Sequence, residues 1–261
     1  MDADPKTLEL DKDAPRRSMQ RLVREFVDAR LADCMEVMAE YPDGHFDLAI
    51  VDPPYGVGMD RGMKGSKGID KRDGKPIQRR DYVGGWDNER PGAEYFAELR
   101  RVSKMQMIWG GNFFADMLPP STHWIFWDKE NPMPSLGDGE LCYTTSQRKS
   151  ITRYRLPYWG HQTAGEAVRI HPTQKPVKLY SWMLANYAKP GHRILDTHMG
   201  SGSIGIACHY YRCPLVTCEI DPDYFGAGCD RIERETAQAD FYLPNVEGQA
   251  VLPGPVKSKQ G

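Results

Sequence analysis

The sequence predicts an α/β protein built on a doubly wound, mostly parallel sheet with helices on both faces. Two observations predict it. Short apolar runs of strand length recur without polar alternation, which is how strands buried on both faces read. Segments with helical apolar spacing separate several of them, and one strand–helix junction is rich in glycine.

The strand-length runs lie at 48–51, 105–109, 123–127, 193–197 and 215–219, with a further strand expected near 140–145. Pro91 opens a helix in which Tyr95, Phe96, Leu99 and Val102 share a face. A second helix carries Val177, Tyr180, Met183, Leu184 and Tyr187 and stops before Pro190-Gly191. A third helix, SIGIACHYY, follows the glycine-rich junction. The last begins with Asp221 as N-cap and Pro222 at the first helical position, then sets Phe225, Cys229 and Ile232 on one side. These aromatic and methionine stripes read as core.

At 261 residues the chain fits a single domain, expected over 21–240, with a poorly ordered polar start (1–20) and a tail (241–261). No stretch approaches the roughly 18 apolar residues of a membrane span, and the polar start has no signal-like core, so a cytoplasmic protein is expected. The six cysteines form no C-x-x-C pair and read as reduced core thiols, and no histidine has convincing ligand spacing, so no metal is expected. Net charge is −2, but residues 61–80 carry eight basic side chains against two aspartates. A basic, glycine-bearing stretch is a candidate phosphate-binding loop, or else a solvated surface segment. It belongs to a patternless region, 56–90. A second such region, 147–170, is aromatic and basic; loops of this length are usually functional or disordered.

Three motifs carry chemistry. Asp52-Pro53-Pro54-Tyr55 follows the strand DLAIV. Proline biases the residue before it towards extended backbone and removes amide donors, which leaves a stiff ledge of acceptors at a strand end, where open α/β sheets bind ligands. The Asp52 carboxylate and the Pro53 carbonyl suit the two N–H groups of an exocyclic amine, and Tyr55 offers a flat face to a base. Read as bare structure, D-P-P is a turn. The second motif runs from Asp196 through His198 to Gly200-Ser201-Gly202-Ser203, between a strand and a helix, and the next strand ends at Glu219, a carboxylate suited to ribose hydroxyls. Gly200, Gly202 and Gly205 also spell G-x-G-x-x-G, so a dinucleotide oxidoreductase is a rival. The third motif is HPTQKP at 171–176, which alone is a loop leading into a helix.

Together, in the order DPPY, HPTQKP, GSGS, these motifs resemble the amino-methylating DNA methyltransferases, in the permuted group whose catalytic motif precedes the cofactor motif. The resemblance covers about residues 29–236. It implies a seven-stranded-type methyltransferase sheet, S-adenosylmethionine as cofactor and DNA as partner. Asp52, Pro53, Pro54 and Tyr55 would be catalytic. Asp33 and Cys34 would lie near the cofactor adenine, Thr173 and Lys175 near its methionine end. Asp196, His198, Gly200, Ser201, Gly202 and Glu219 would complete the cofactor site, with Asp196 on the side of the cationic sulfonium. A pyrophosphate would be repelled there, which argues against the oxidoreductase. DNA contacts are expected from Lys71, Arg72, Arg79 and Arg80, and from Arg148, Arg153 and Arg155 in the short target-recognition segment 147–170. Family members often have phenylalanine at the position of His198. Adenine N6 is the expected target because the family's cytosine-N4 enzymes more often have serine in place of Asp52. Cytosine N4, a catalytically silent DNA-binding scaffold, methylation of protein or RNA, and a homodimer stay open.

Overall fold

The first strands to form the sheet are ones no apolar run announces: β1 (Arg21–Arg24) and β2 (Val27–Leu31) make an antiparallel hairpin. In this computed structural model the described residues are 21–58, 68–69, 76–77, 87, 89–131, 137–159, 162–163, 166, 170–171 and 173–237. After the hairpin come α1 (Cys34–Ala39), β3 (Leu48–Val51), a small ribbon of β4 (Gly68–Ile69) and β5 (Pro76–Ile77), α2 (Ala93–Val102) and β6 (Gln106–Trp109). Then follow β7 (His123–Asp128), β8 (Gly139–Thr144), β9 (Thr152–Arg155) and a second ribbon of β10 (Tyr158–Trp159) and β11 (Gln162–Thr163). The chain continues through α3 (Val177–Tyr187), β12 (Ile194–Asp196), α4 (Ser203–Tyr211), β13 (Leu215–Glu219) and α5 (Pro222–Ala237).

The central sheet has the order β1-β2-β13-β12-β3-β6-β8-β7-β9. From β2 to β6 every pair is parallel, β8 runs antiparallel to both neighbours, and β9 is parallel to β7. The sheet is mostly parallel, as expected, but has nine strands where a seven-stranded type was expected. Half-exposed edge strands account for part of the difference. β9 alternates intermediate and exposed positions, so it lacks the apolar signature of a buried strand. It also lies within 147–170, so part of the segment expected as an inserted loop is an edge strand of the main sheet.

Alternation along the buried strands separates two cores. Leu48, Ile50, Met107 and Trp109 face one cluster, which the α3, α4 and α5 residues Leu179, Ile204 and Phe225 complete. Ala49, Val51 and Ile108 face the other, completed by Met38 of α1 and by Tyr95, Phe96 and Leu99 of α2. The helix after β3 therefore packs on one face and the helix after β12 on the opposite face. β3 and β12 are neighbours, so the chain diverges between them and leaves a crevice at their carboxyl ends.

The expected helices form with small shifts at their ends. Asp221 caps α5, its carboxylate accepting from the Asp223 and Tyr224 amides at 2.8 and 3.0 Å. Gly202 caps α4 at φ +72°, and a Cβ there would meet Ile232 at 2.9 Å, so glycine is required on both counts. All six cysteines are free thiols. No described helix is long and apolar enough to cross a membrane. Lys71, Arg72, Arg79 and Arg80, and the segments 1–20 and 241–261, lie outside the described residues.

Candidate active site

Three sequence motifs meet in the crevice. A cavity of about 190 Å³ is lined by Asp52 and Pro54 from the end of β3, by His171, Thr173 and Lys175 from the loop before α3, and by His198, Gly200, Ser201 and Glu219 from the ends of β12 and β13. Tyr180, Met199 and Tyr224 add apolar wall.

The ledge at β3 is held by hydrogen bonds. Asp87, buried, accepts from the Tyr55 and Gly56 amides at 2.7 and 2.8 Å, and its carbonyl accepts from Gly58 N–H at 3.1 Å. The Tyr55 hydroxyl donates to Asp52 Oδ1 at 2.7 Å, and the Lys175 ammonium donates to Asp52 Oδ2. Burial pushes the Asp52 carboxyl up from its ordinary range, while the Lys175 cation pulls against that rise. Burial disfavours the Lys175 charge, but the Asp52 and Glu140 carboxylates outweigh it and hold the ammonium above the usual lysine value.

Tyr55 is not the bare face the sequence suggests. Phe113 stacks on it at 4.8 Å between ring centroids and 16° between planes. Gly110, at φ +67°, lies so close that a Cβ would fall 2.2 Å from the Tyr55 ring. Side chains from a turn some sixty residues on thus pack the ring, and no local pattern reveals that.

The cofactor-motif residues divide into those that reach the cavity and those that do not. Glu219 reaches it, but its carboxylate already accepts from the Gly200, Ile220 and Asp221 amides at 2.9, 3.0 and 3.1 Å. That uses three of about four acceptor sites on a carboxylate, so one remains for a hydroxyl rather than a full bidentate grip. Asp196 is not in the cavity wall. Its oxygens accept from the His198 amide at 3.2 Å and the Thr217 hydroxyl at 2.9 Å, and burial raises its pKa to about 7. Asp33 is the N-cap of α1 and accepts from Met35 N–H at 2.7 Å, with Cys34 beside it at the first helical position. His198 is half-buried in the cavity wall, is held down to about 4 by burial, and is linked through the Thr197 hydroxyl at 2.9 Å to the Tyr95 hydroxyl at 2.6 Å. His171 is also held down to about 4 by burial, and its Nδ1 accepts from Thr173.

Several residues of this assembly escaped the sequence reading. Glu166 accepts from the first amide of α3 at 2.6 Å and from the Gln174 side chain at 2.7 Å, and pairs with buried Arg231 at 3.3 Å. Arg231 in turn donates to the Ser201 carbonyl and the Ser203 hydroxyl at 3.1 and 2.7 Å, so it ties α5 to the glycine turn. Glu140 joins Lys175 at 3.1 Å. A charged residue entering the apolar run GELCYT was the available signal for Glu140; Asp87 and Glu166 sit in patternless stretches. The described arginines of 147–170 stay outside the cavity. Arg148 lies over the Tyr187 ring at 4.6 Å, and Arg153 and Arg155, both about half exposed, approach Asp128 at 4.0 and 3.5 Å. Among the described residues no group of three or more His, Cys, Asp or Glu could hold a metal ion.

Known proteins resemble this chain in sequence and in fold. The DNA methylase family model for N6 and N4 enzymes matches residues 140–228. The type II methyltransferase M.HinfI of Haemophilus influenzae is 24% identical over 234 residues, covering 72% of this chain, which spans 63% of that relative's length. The YubD protein of Escherichia coli (strain K12) is 25% identical, covering 81% of this chain and 96% of its own. Among solved structures, the M1.HpyAVI–SAM complex superposes with TM-score 0.51 at 18% identity, over 78% of this chain and 99% of that one. The cytosine-N4-specific PvuII DNA methyltransferase superposes with TM-score 0.51 at 11% identity, over 82% and 91%. Motifs, fold and family model point the same way: residues 140–228 match the N6/N4 DNA methylase family model, and the fold is that of solved DNA methyltransferases.

Proposed function

We propose that the chain transfers a methyl group from S-adenosylmethionine to the exocyclic N6 amine of adenine in DNA. One observation carries this reading: Asp52 of the acceptor ledge and Glu219 of the glycine-turn wall border a single cavity.

The wall fits the cofactor by its chemistry. Gly200, at φ +49°, keeps backbone close to the cavity without a side chain. Glu219 keeps one acceptor site for a ribose hydroxyl, Ser201 and Thr173 add hydroxyls, and Met199 and Tyr224 supply apolar surface. Asp33 and Cys34 are the candidates for the adenine end, and His198 for the floor between. Bound there, S-adenosylmethionine supplies an electrophilic methyl group on a cationic sulfonium. Asp196 contributes a buried negative potential behind the wall rather than a contact, and a cation in the cavity would favour its ionised form.

The chain's own task is to present a nucleophilic nitrogen. An aromatic amine has its lone pair delocalised into the ring. Asp52, with two of its acceptor sites taken by Tyr55 and Lys175, retains others for one amine N–H, and the Pro53 carbonyl can accept the second. Two such bonds favour a pyramidal nitrogen with its lone pair directed away from them. Holding two reactants in line is worth up to about 7–11 kcal/mol of barrier. A base cannot be reached inside a duplex and must be extruded at a cost of a few kcal/mol. An extruded base that seeks the face of Tyr55 must either displace Phe113 or stack upon it.

The test is direct. Duplex DNA is incubated with the purified chain and methyl-labelled S-adenosylmethionine, then digested to nucleosides for mass spectrometry. Labelled N6-methyl-2′-deoxyadenosine is expected. Labelled N4-methyl-2′-deoxycytidine would overturn the choice of base, and DNA without label would overturn the activity.

A further inference from the structure

The catalytic carboxylate of this reading is already occupied. Lys175, buried with its side chain 3% exposed, donates to Asp52 Oδ2, the same carboxylate an incoming amine must use. Its ammonium also lies 3.3 Å from the Tyr55 hydroxyl, 5.8 Å from the Tyr55 ring centroid and 5.5 Å from that of Trp109. An ammonium in such surroundings cannot retreat into water. If it stays on Asp52 it neutralises that carboxylate and opposes the positive charge that grows on the nitrogen during methyl transfer.

A second acceptor is within reach. Glu140 stands in β8, opposite Trp127 of β7, with its Oε2 3.1 Å from Lys175 Nζ. That oxygen is buried and already paired with the Lys175 ammonium, so one ammonium bridges the two carboxylates. The other oxygen, Oε1, is held by the Lys129 ammonium, which itself sits 4.7 Å from the Trp127 ring centroid. Burial pushes the Glu140 carboxyl up, but Lys175 and Lys129 outweigh it and hold it at about 2. Glu140 is therefore a fixed, ionised carboxylate with one oxygen beside the lysine.

Resting on the methyltransferase reading, we propose that Glu140 is a positioning residue that takes over the Lys175 ammonium when an amine docks on Asp52. No proton changes owner in this step. The ammonium gives up Asp52 Oδ2 and stays on Glu140 Oε2, and the charge of Asp52 is left facing the target nitrogen. The lysine thus satisfies Asp52 while the site is empty and releases it when the site fills.

The test compares wild type, Glu140→Gln, Glu140→Asp, Lys175→Gln and the Glu140→Gln/Lys175→Gln double variant in steady-state methylation of DNA. Thermal melting checks the fold of each. Glu140→Gln is expected to lower kcat about ten-fold or more while the KM for DNA and the affinity for S-adenosylmethionine change little. Glu140→Asp should recover part of kcat. In the double variant there is no ammonium to relocate, so it should be no slower than Lys175→Gln alone. Wild-type turnover by Glu140→Gln overturns the proposal, as do defects that multiply in the double variant. If Glu140→Gln does not fold, Glu140→Asp, with and without Lys175→Gln, supplies the same comparison. A wild-type chain that methylates no DNA overturns the parent reading instead.

Discussion

Two carboxylates near the crevice, half-buried Asp52 and buried Asp196, have different partners and should answer differently to mutation. Asp52 meets a cation and a hydroxyl and faces the cavity; Asp196 meets an amide and a hydroxyl and faces the interior. Replacing Asp52 with alanine should abolish methyl transfer and leave cofactor affinity within about two-fold, because Lys175 still has Glu140 and the opposite wall is intact. Calorimetry with S-adenosylmethionine beside a turnover assay checks both halves, and a sharp loss of affinity would place Asp52 at the cofactor. For Asp196 the readout is stability. Its carboxyl titrates near 7 in the fold against an ordinary 3.8, so between those values the folded state holds a proton the unfolded state has lost. Stability from this group is thus full at low pH and falls as pH rises through 7, by about 1.4 kcal/mol per unit and on the order of 4 kcal/mol in all. His171 and His198, depressed to about 4, act in the opposite sense between 4 and 6.5. Asp196→Asn should therefore gain stability relative to wild type as pH rises from 4 to 7 in urea melts without cofactor; a constant difference would show that Asp196 does not titrate in that window.

Elements position the site by contacts that skip along the chain. The DPPY ledge leaves β3, yet its shape depends on Asp87 and on the turn Gly110–Phe113 after β6. Gly110 is the sharpest case, because it combines φ +67° with a Cβ position 2.2 Å from the Tyr55 ring. Gly110→Ala must strain the backbone and push Tyr55 off Asp52. The expected result is a melting temperature lower by about 3 °C or more and a loss of turnover exceeding that of cofactor affinity. Differential scanning calorimetry and binding on the same sample check this; full activity at an unchanged melting temperature would mean that the ring has another resting place. On the other wall Arg231 and Glu166 do the comparable work, joining α5, the glycine turn and the first amide of α3.

At the scale of the whole molecule, the proposed grip on DNA would draw on charge that the net value of −2 conceals. The stretch 61–80 follows the catalytic ledge, and Arg148, Arg153 and Arg155 sit on or near the outer strand β9. Neutralising Lys71, Arg72, Arg79 and Arg80 together should weaken all DNA sequences alike and cut the slope of log affinity against log salt by up to about 3.6, at 0.9 per phosphate contact. Fluorescence anisotropy from 50 to 300 mM salt measures it, with cofactor binding as the control. An unchanged slope would return this stretch to a solvated surface segment and move the burden to Arg148, Arg153 and Arg155.

The sequence by itself determined the alternation of buried strands and amphipathic helices, the cap at Asp221, the glycine-rich junction before α4, and the three motifs that meet in the crevice. Each is legible because its cause is local: an apolar run, a helical stripe, a residue type demanded by a turn. Only the tertiary structure decided which charges face one another. That Lys175 would rest on Asp52 with Glu140 behind it, that Asp196 would turn away from the cavity, and that Phe113 would cover Tyr55 depend on side chains separated by 21 to 123 positions. The edge strands β1 and β9 were hidden for a related reason. A strand with one covered side shows too few apolar residues to announce itself, and pairing with a neighbour already in place supplies what its own sequence lacks.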